Sequence, residues 1–208
     1  MIRLKEVFGP TLQGEGDTAG TPAIFVRTSG CNMWNGKEAD KPSSRCAFCD
    51  TDFVGGVWSA AREIAETVFR LASGKVQLVV ITGGEPTLQP SVEMAELVSI
   101  LQDHGMIVQV ETNGTLNALW LAACELVTVS PKLPLAQCQV DWRSVTALKI
   151  LYPHPDKNIT PESFDALGLP VFIQPVWGSD YSEAVNKVLE MSPRARLSLQ
   201  THKITGVQ

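Results

Sequence analysis

Short apolar runs alternate along this chain with longer stretches of helical periodicity. The run 76–81 is apolar except at Gln77, the pattern of a parallel strand covered on both faces. Further strands are predicted at 4–8, ended by Gly9-Pro10, and at 23–27, 106–111, 126–129, 147–151, 171–174 and 196–200. A helix is predicted over 59–72, with Ser59 as its cap, Ile64, Val68, Phe69 and Leu71 as its apolar stripe and Gly74 as its stop. Others follow at 91–104, closed by Gly105, at 116–124, after Pro161 and at 181–191. Segment 133–144, which contains Pro134 and lacks periodicity, reads as an irregular connection.

Strand and helix therefore take turns, and the polar, glycine- or proline-bearing motifs fall at the carboxyl ends of strands. They are Arg27, 82–86, 111–114, 130–132, Gln174-Pro175 and 200–203, the places where parallel β/α folds build their sites. A closed eightfold barrel takes about 250 residues. With 208 residues and few long helices, the expectation is an α/β fold: a partial, open parallel β/α barrel with reduced helical cladding, forming one domain over 1–208.

Composition narrows the function. A hydrophobic fraction of 44% suffices for a full core, and a formal charge of −5 argues against a nucleic-acid partner. The first residues lack the apolar core of a secretory signal, and no run approaches the roughly 18 apolar residues of a membrane helix, so a cytoplasmic protein with no membrane contact is expected. Five cysteines, an odd number, fit a reducing compartment rather than a disulfide framework. Cys124 and Cys138 read as spare buried thiols.

Cys31, Cys46 and Cys49 share one loop, with fourteen and then two residues between them. Three soft ligands leave a bound metal one position short. They suit a 4Fe-4S cluster with one open iron, or a zinc completed by a distant ligand such as His104, His154 or His202. The loop between the first two strands carries Gly14, Gly16 and Gly20, which allow a tight turn and close approach to a ligand.

The three-cysteine loop, with Phe48 before its last cysteine, resembles the radical S-adenosylmethionine (SAM) enzymes, although most of that superfamily puts three residues between its first two cysteines. The long spacer, Thr11-Leu12-Gln13-Gly14-Glu15-Gly16, Cys49-Asp50-Thr51-Asp52, Thr82-Gly83-Gly84-Glu85-Pro86 and Glu111-Thr112-Asn113-Gly114 together resemble the 7-carboxy-7-deazaguanine synthases of 7-deazapurine and queuosine biosynthesis. The likeness runs from Gly14 to 200–203. It implies a fold of the radical SAM type and a carbon-nitrogen lyase acting on 6-carboxy-5,6,7,8-tetrahydropterin, with no side chain assigned as acid or base. Cofactors implied are a 4Fe-4S cluster, SAM and Mg2+; implied partners are a flavodoxin-like electron donor and a second copy in a homodimer.

By the same resemblance, Cys31, Cys46 and Cys49 hold the cluster and Thr51 ligates magnesium. Gly84, Glu85, Ser130, Pro131, Lys132, Gln174, Pro175, Val176 and Trp177 bind SAM, Glu85 adding a negative charge near its amino group. Leu12, Gln13, Gly14, Glu15, Arg27 and Thr82 contact the substrate, Arg27 as a bidentate partner for its carboxylate. The tail folds back so that the terminal carboxylate of Gln208 meets the substrate. Two rivals stay open: another radical SAM enzyme, such as a glycyl-radical activase, and a zinc-bound module without catalysis.

Overall fold

The computed structural model describes residues 1–207; Gln208, and with it the expected carboxylate contact, lies outside the described residues. Among the described residues nine strands form one sheet: β1 (Ile2–Leu12), β2 (Pro22–Thr28), β3 (Val57–Ser59), β4 (Leu78–Gly83), β5 (Ile107–Thr112), β6 (Leu126–Val129), β7 (Ala147–Leu151), β8 (Val171–Gln174) and β9 (Ala195–Leu197). Their order is β3-β1-β2-β4-β5-β6-β7-β8-β9. From β2 to β9 all neighbours are parallel, whereas β1 runs antiparallel to both β2 and β3. Because β3 and β9 end the order without pairing, the barrel is open.

Helices α1 (Ala61–Ala72), α2 (Ser91–Asp103) and α3 (Ser182–Met191) are the longer ones, and α4 (Thr201–Thr205) is a single turn near the chain end. The cladding is indeed thin. Tight 3-10 turns at Leu119–Ala123 and Pro161–Leu167 stand where helices were expected, and two more such turns lie within 133–144.

Three local expectations need correction. Gly9-Pro10 does not end the first strand: β1 continues to Leu12, and the irregularity is absorbed as a register shift against β2 between Phe8 and Thr11. Ser59 is not a helix cap, because pairing with Ile2 holds it as the last residue of β3; the cap is Ala60, whose N–H donates to Glu63 Oε2 at 3.0 Å. Residues 200–203 do not close a strand, since β9 stops at Leu197 and Thr201 starts α4.

Successive side chains of a strand point to opposite faces, and here the two faces have different work. Val26, Ile81, Val110, Leu148 and Ile150 turn outward and pack with Ile64 and Val68 of α1 and Leu97 and Leu101 of α2 in the main core. The other parity begins apolar, with Phe25 against Val80. It becomes polar at the carboxyl ends, where Arg27, Thr82, Glu111, Lys149 and Gln174 line one cavity. Parallel register sets Arg27 beside Thr82.

Candidate active site

The cavity holds about 400 Å³, within the range of small-molecule sites. Its lining includes the three cysteines, all free thiols. Cys31 follows β2 after Gly30, whose carbonyl accepts from Glu85 N at 2.8 Å, and its Sγ accepts from Met33 N at 3.4 Å. Cys46, Trp34 and Phe53 form a small apolar cluster against which Cys31, Met33, Phe48 and Cys49 pack. Burial pushes the Cys46 thiol up to about 11, and the neighbouring Cys31 and Cys49 add to the shift; burial likewise raises Cys31.

Metal binding must therefore displace protons from these thiols. Among the described residues no three His, Cys, Asp or Glu side chains stand ready in metal-binding geometry. The donor chemistry nonetheless fits an iron-sulfur cluster: three thiols in mutual electrostatic reach, an apolar surround and one cavity. Cys124 and Cys138 point instead at the carbonyls of Trp120 and Leu133 and do not line it.

Gly83 and Gly84 bring β4 hard against this loop. A Cβ on Gly84 would lie 1.9 Å from Gly30 O, and one on Gly83 would lie 2.2 Å from Thr28 O. Glu85 corrects an expectation. Its side chain is fully buried and does not line the cavity; instead Thr87 N and Oγ1, Thr112 Oγ1 and Asn113 N all donate to it at 2.7 to 3.0 Å. Burial raises its carboxyl and the four donors oppose that rise. Glu85 thus ties the β4 turn to the end of β5, beneath the floor of the site rather than in it.

Ser130 and Lys132 line the cavity; Pro131 is buried between them and does not. Lys132 Nζ donates to Ser130 Oγ at 2.6 Å and lies 5.7 Å from the centre of the Phe48 ring. Burial lowers its basicity. Gln174, Pro175, Val176 and Trp177 form the wall after β8, and Lys203 Nζ stands 5.3 Å from the centre of the half-exposed Trp177 ring.

Leu12, Gln13, Gly14, Glu15, Arg27, Thr51 and Thr82 line the same cavity as the thiols. Arg27 is already engaged: its Nε donates to Glu6 Oε1 at 2.9 Å, and its guanidinium lies 5.2 Å from the Phe8 ring centre. A guanidinium has five N–H donors, so this pairing orients Arg27 without using it up. Thr51 lies between Asp50, which pairs with Lys203, and Asp52, which pairs with Lys5 at 2.7 Å.

Sequence reasoning gave Glu6 and Lys149 no place in the site, and it marked Glu111, Gln200 and Lys203 only as members of strand-end motifs, without a role. Lys149 Nζ lies 2.5 Å from Glu15 and 2.9 Å from Glu111; Gln13 Nε2 donates to Glu111 and Gln200 Nε2 to Glu15. The available signal was a lysine centred in Ala147-Leu148-Lys149-Ile150-Leu151, where a buried charge needs a partner. Burial alone would raise the Glu15 carboxyl, but the Lys149 charge and hydrogen bonds from Lys149, Gln200 and Gln174 hold it well below the ordinary value.

Residues 41–132 match the Radical SAM superfamily, and the open β/α barrel with thiols and glycine turn at the strand ends is the architecture of that class. Over 99% of its length the chain is 41% identical to the 7-carboxy-7-deazaguanine synthase of Nitratidesulfovibrio vulgaris strain Hildenborough, covering 98% of that protein. It is 39% identical, with the same coverages, to that of Bradyrhizobium diazoefficiens. The crystal structure of QueE from Escherichia coli is similar with a TM-score of 0.65 and 25% identity, covering 95% of this chain and 93% of that one. The chain belongs to the 7-carboxy-7-deazaguanine synthase family.

Proposed function

We propose that the chain converts 6-carboxy-5,6,7,8-tetrahydropterin to 7-carboxy-7-deazaguanine, with hydrogen abstraction at C6, ring contraction and loss of ammonia, as a radical SAM carbon-nitrogen lyase. The observation that carries this reading is one cavity shared by three free thiols, the Gly83-Gly84 turn, Arg27 and a carboxylate-rich wall, in a chain related over its whole length to such synthases. Neither rival accounts for it: a zinc module has no use for the Gly84 contact, and an activase has no evident need for Arg27 and the 12–15 loop.

In this reading Cys31, Cys46 and Cys49 hold a 4Fe-4S cluster, which with SAM supplies the one-electron chemistry that opens the reaction. Gly84, Ser130 and Lys132, with Gln174, Pro175, Val176 and Trp177, form the SAM side of the cavity; Glu85 and Pro131 support it from below. Arg27, aimed by Glu6, pairs with the pterin carboxylate, while Leu12, Gln13, Gly14, Glu15 and Thr82 meet the pterin. Thr51 offers a hydroxyl to Mg2+, which commonly keeps waters and takes few protein ligands.

The proposal includes a substrate contact by the carboxylate of Gln208, which lies outside the described residues. Support comes from Val207, whose N–H donates to His202 O at 3.1 Å and which lines a shallow pocket beside Leu12 and Pro22. A flavodoxin-like donor and a homodimer complete the proposal. No described helix is long and apolar enough to cross a membrane, in keeping with work in the cytoplasm.

The test is anaerobic incubation of the reconstituted protein with the carboxypterin, SAM, reductant and magnesium. The expected product is lighter than substrate by one NH3, with SAM regenerated. Recovery of unchanged pterin from protein carrying a full iron complement would overturn the assignment.

A further inference from the structure

A buried N–H without a protein acceptor is uncommon, and where one occurs an ion or cofactor is a standard reason for it. Among the described residues five buried side-chain atoms have no hydrogen-bond partner: Ser29 Oγ, Trp34 Nε1, Trp120 Nε1, His154 Nε2 and Asp165 Oδ1. Of these five residues Trp34 alone lines the cavity, and it does so together with Cys31, Cys46 and Cys49.

The indole is held from several sides. It packs with Cys46 and Phe53, the Phe53 ring standing at 88° to it with centres 5.7 Å apart, and Lys41 Nζ lies 5.4 Å from its ring centre. Only 8% of Trp34 is exposed, and Nε1 is shut off from solvent. An indole N–H can only donate, so Trp34 keeps a donor buried at a standing cost. The backbone of the same residue already serves the cysteine loop: the Trp34 N–H, like that of Met33, favours the thiolate of Cys31.

Metal loading changes the acceptors beside this donor. A cysteine thiol accepts weakly, whereas a metal-bound cysteine is a thiolate, and the sulfides of a cluster are further acceptors. Cys46, buried and packed in the same apolar group as the indole, undergoes that change. We infer that the Trp34 indole N–H donates a hydrogen bond to a sulfur of the bound cluster, Cys46 Sγ or a sulfide beside it, and thereby raises the cluster's reduction potential. Reduction adds negative charge to the sulfurs, so a donor there holds the reduced form more tightly than the oxidised one. The inference rests on the proposed cluster and adds to it a residue that sets how readily the cluster is reduced.

The experiment uses the full chain, reconstituted anaerobically without SAM and carrying tryptophan labelled with nitrogen-15 at the indole nitrogen. Electron-nuclear double resonance on the reduced cluster should show a nitrogen-15 coupling that disappears in Trp34→Phe. In a redox titration followed by electron paramagnetic resonance, Trp34→Phe should shift the equilibrium about tenfold toward the oxidised cluster, for one electron a potential lower by about 59 mV. Trp120→Phe, which removes an equally unpartnered N–H from the main core, should keep both the coupling and the wild-type potential. If Trp34→Phe takes up no cluster, the labelled wild type decides alone. Loaded wild type without the coupling would overturn the inference, as would an unchanged potential in Trp34→Phe or an equal shift in Trp120→Phe. Wild-type protein that takes up no iron would overturn the cluster reading itself, and the inference with it.

Discussion

Replacing Gly84 by Ala tests the close approach between the β4 turn and the cysteine loop. The Gly84 backbone is not left-handed, so crowding is the whole reason for glycine there. An added Cβ would stand 1.9 Å from Gly30 O, 2.5 Å from Gly30 C and 3.1 Å from Cys31 N, all backbone atoms, where ordinary contact starts at 3.4 Å. The loop must retreat by about 1.5 Å or the turn must rotate. Either movement breaks the Glu85 N to Gly30 O hydrogen bond of 2.8 Å and carries Cys31 away from Cys46 and Cys49.

Overpacking of this kind costs about 1–3 kcal/mol, and the lost hydrogen bond about 1 kcal/mol more. For a chain of this size each kcal/mol lowers the melting temperature by about 2–4 °C, so metal-free Gly84→Ala should melt about 4–16 °C below wild type. Iron and sulfide bound after anaerobic reconstitution should fall toward the level of Cys46→Ala, since three thiols must converge within one cluster. A variant that melts within about 2 °C of wild type and takes up its full iron would refute the argument that this glycine holds the loop in place.

Arg27→Ala should weaken carboxypterin binding about tenfold to a hundredfold through loss of a charge-assisted contact and leave SAM affinity unchanged; equal loss of both ligands would show a purely structural arginine. Thr51→Ala should weaken the dependence of turnover on magnesium with iron content intact, and an identical magnesium titration would remove Thr51 from the metal site. A C-terminal extension should lower substrate affinity about tenfold or more relative to an N-terminal one, whereas equal affinities would detach the Gln208 carboxylate from the site. Because Glu15 is held below its ordinary value, its share of stability is present above pH ~4.5 and lost as pH falls from there toward ~2; Glu15→Gln should flatten that part of the melting-temperature profile, and an unchanged slope would assign the acid loss elsewhere.

Much of the sheet was legible because parallel strands are apolar on both faces. The runs 126–129, 147–151 and 171–174 coincide with β6, β7 and β8, and the polar motifs did mark the cavity end of the strands. What stayed hidden was decided by partners far away in sequence. β3 is three residues long and exists because Ile2 to Leu4 offer it an edge. Composition cannot say that Gly9-Pro10 lies inside a strand, since the bulge that accommodates it depends on the register of β2.

Charges show the same limit more sharply. Glu85 and Lys149 are both buried titratable groups, and sequence alone gives no reason to send one beneath the floor and the other to the wall. Glu85 is met by four neutral donors from its own turn and the end of β5, which oppose the rise that burial imposes on its carboxyl. Lys149 is met by two carboxylates, each partly exposed to the cavity, so satisfying the lysine leaves negative charge on the side where a ligand enters. A buried carboxyl whose oxygens are met by donors of its own scaffold braces the fold, whereas a lysine met by two carboxylates leaves net negative charge on the cavity wall. That distinction rests on counting donors against acceptors in space: Glu15, Lys149 and Glu111 all line the cavity, and Glu85 does not.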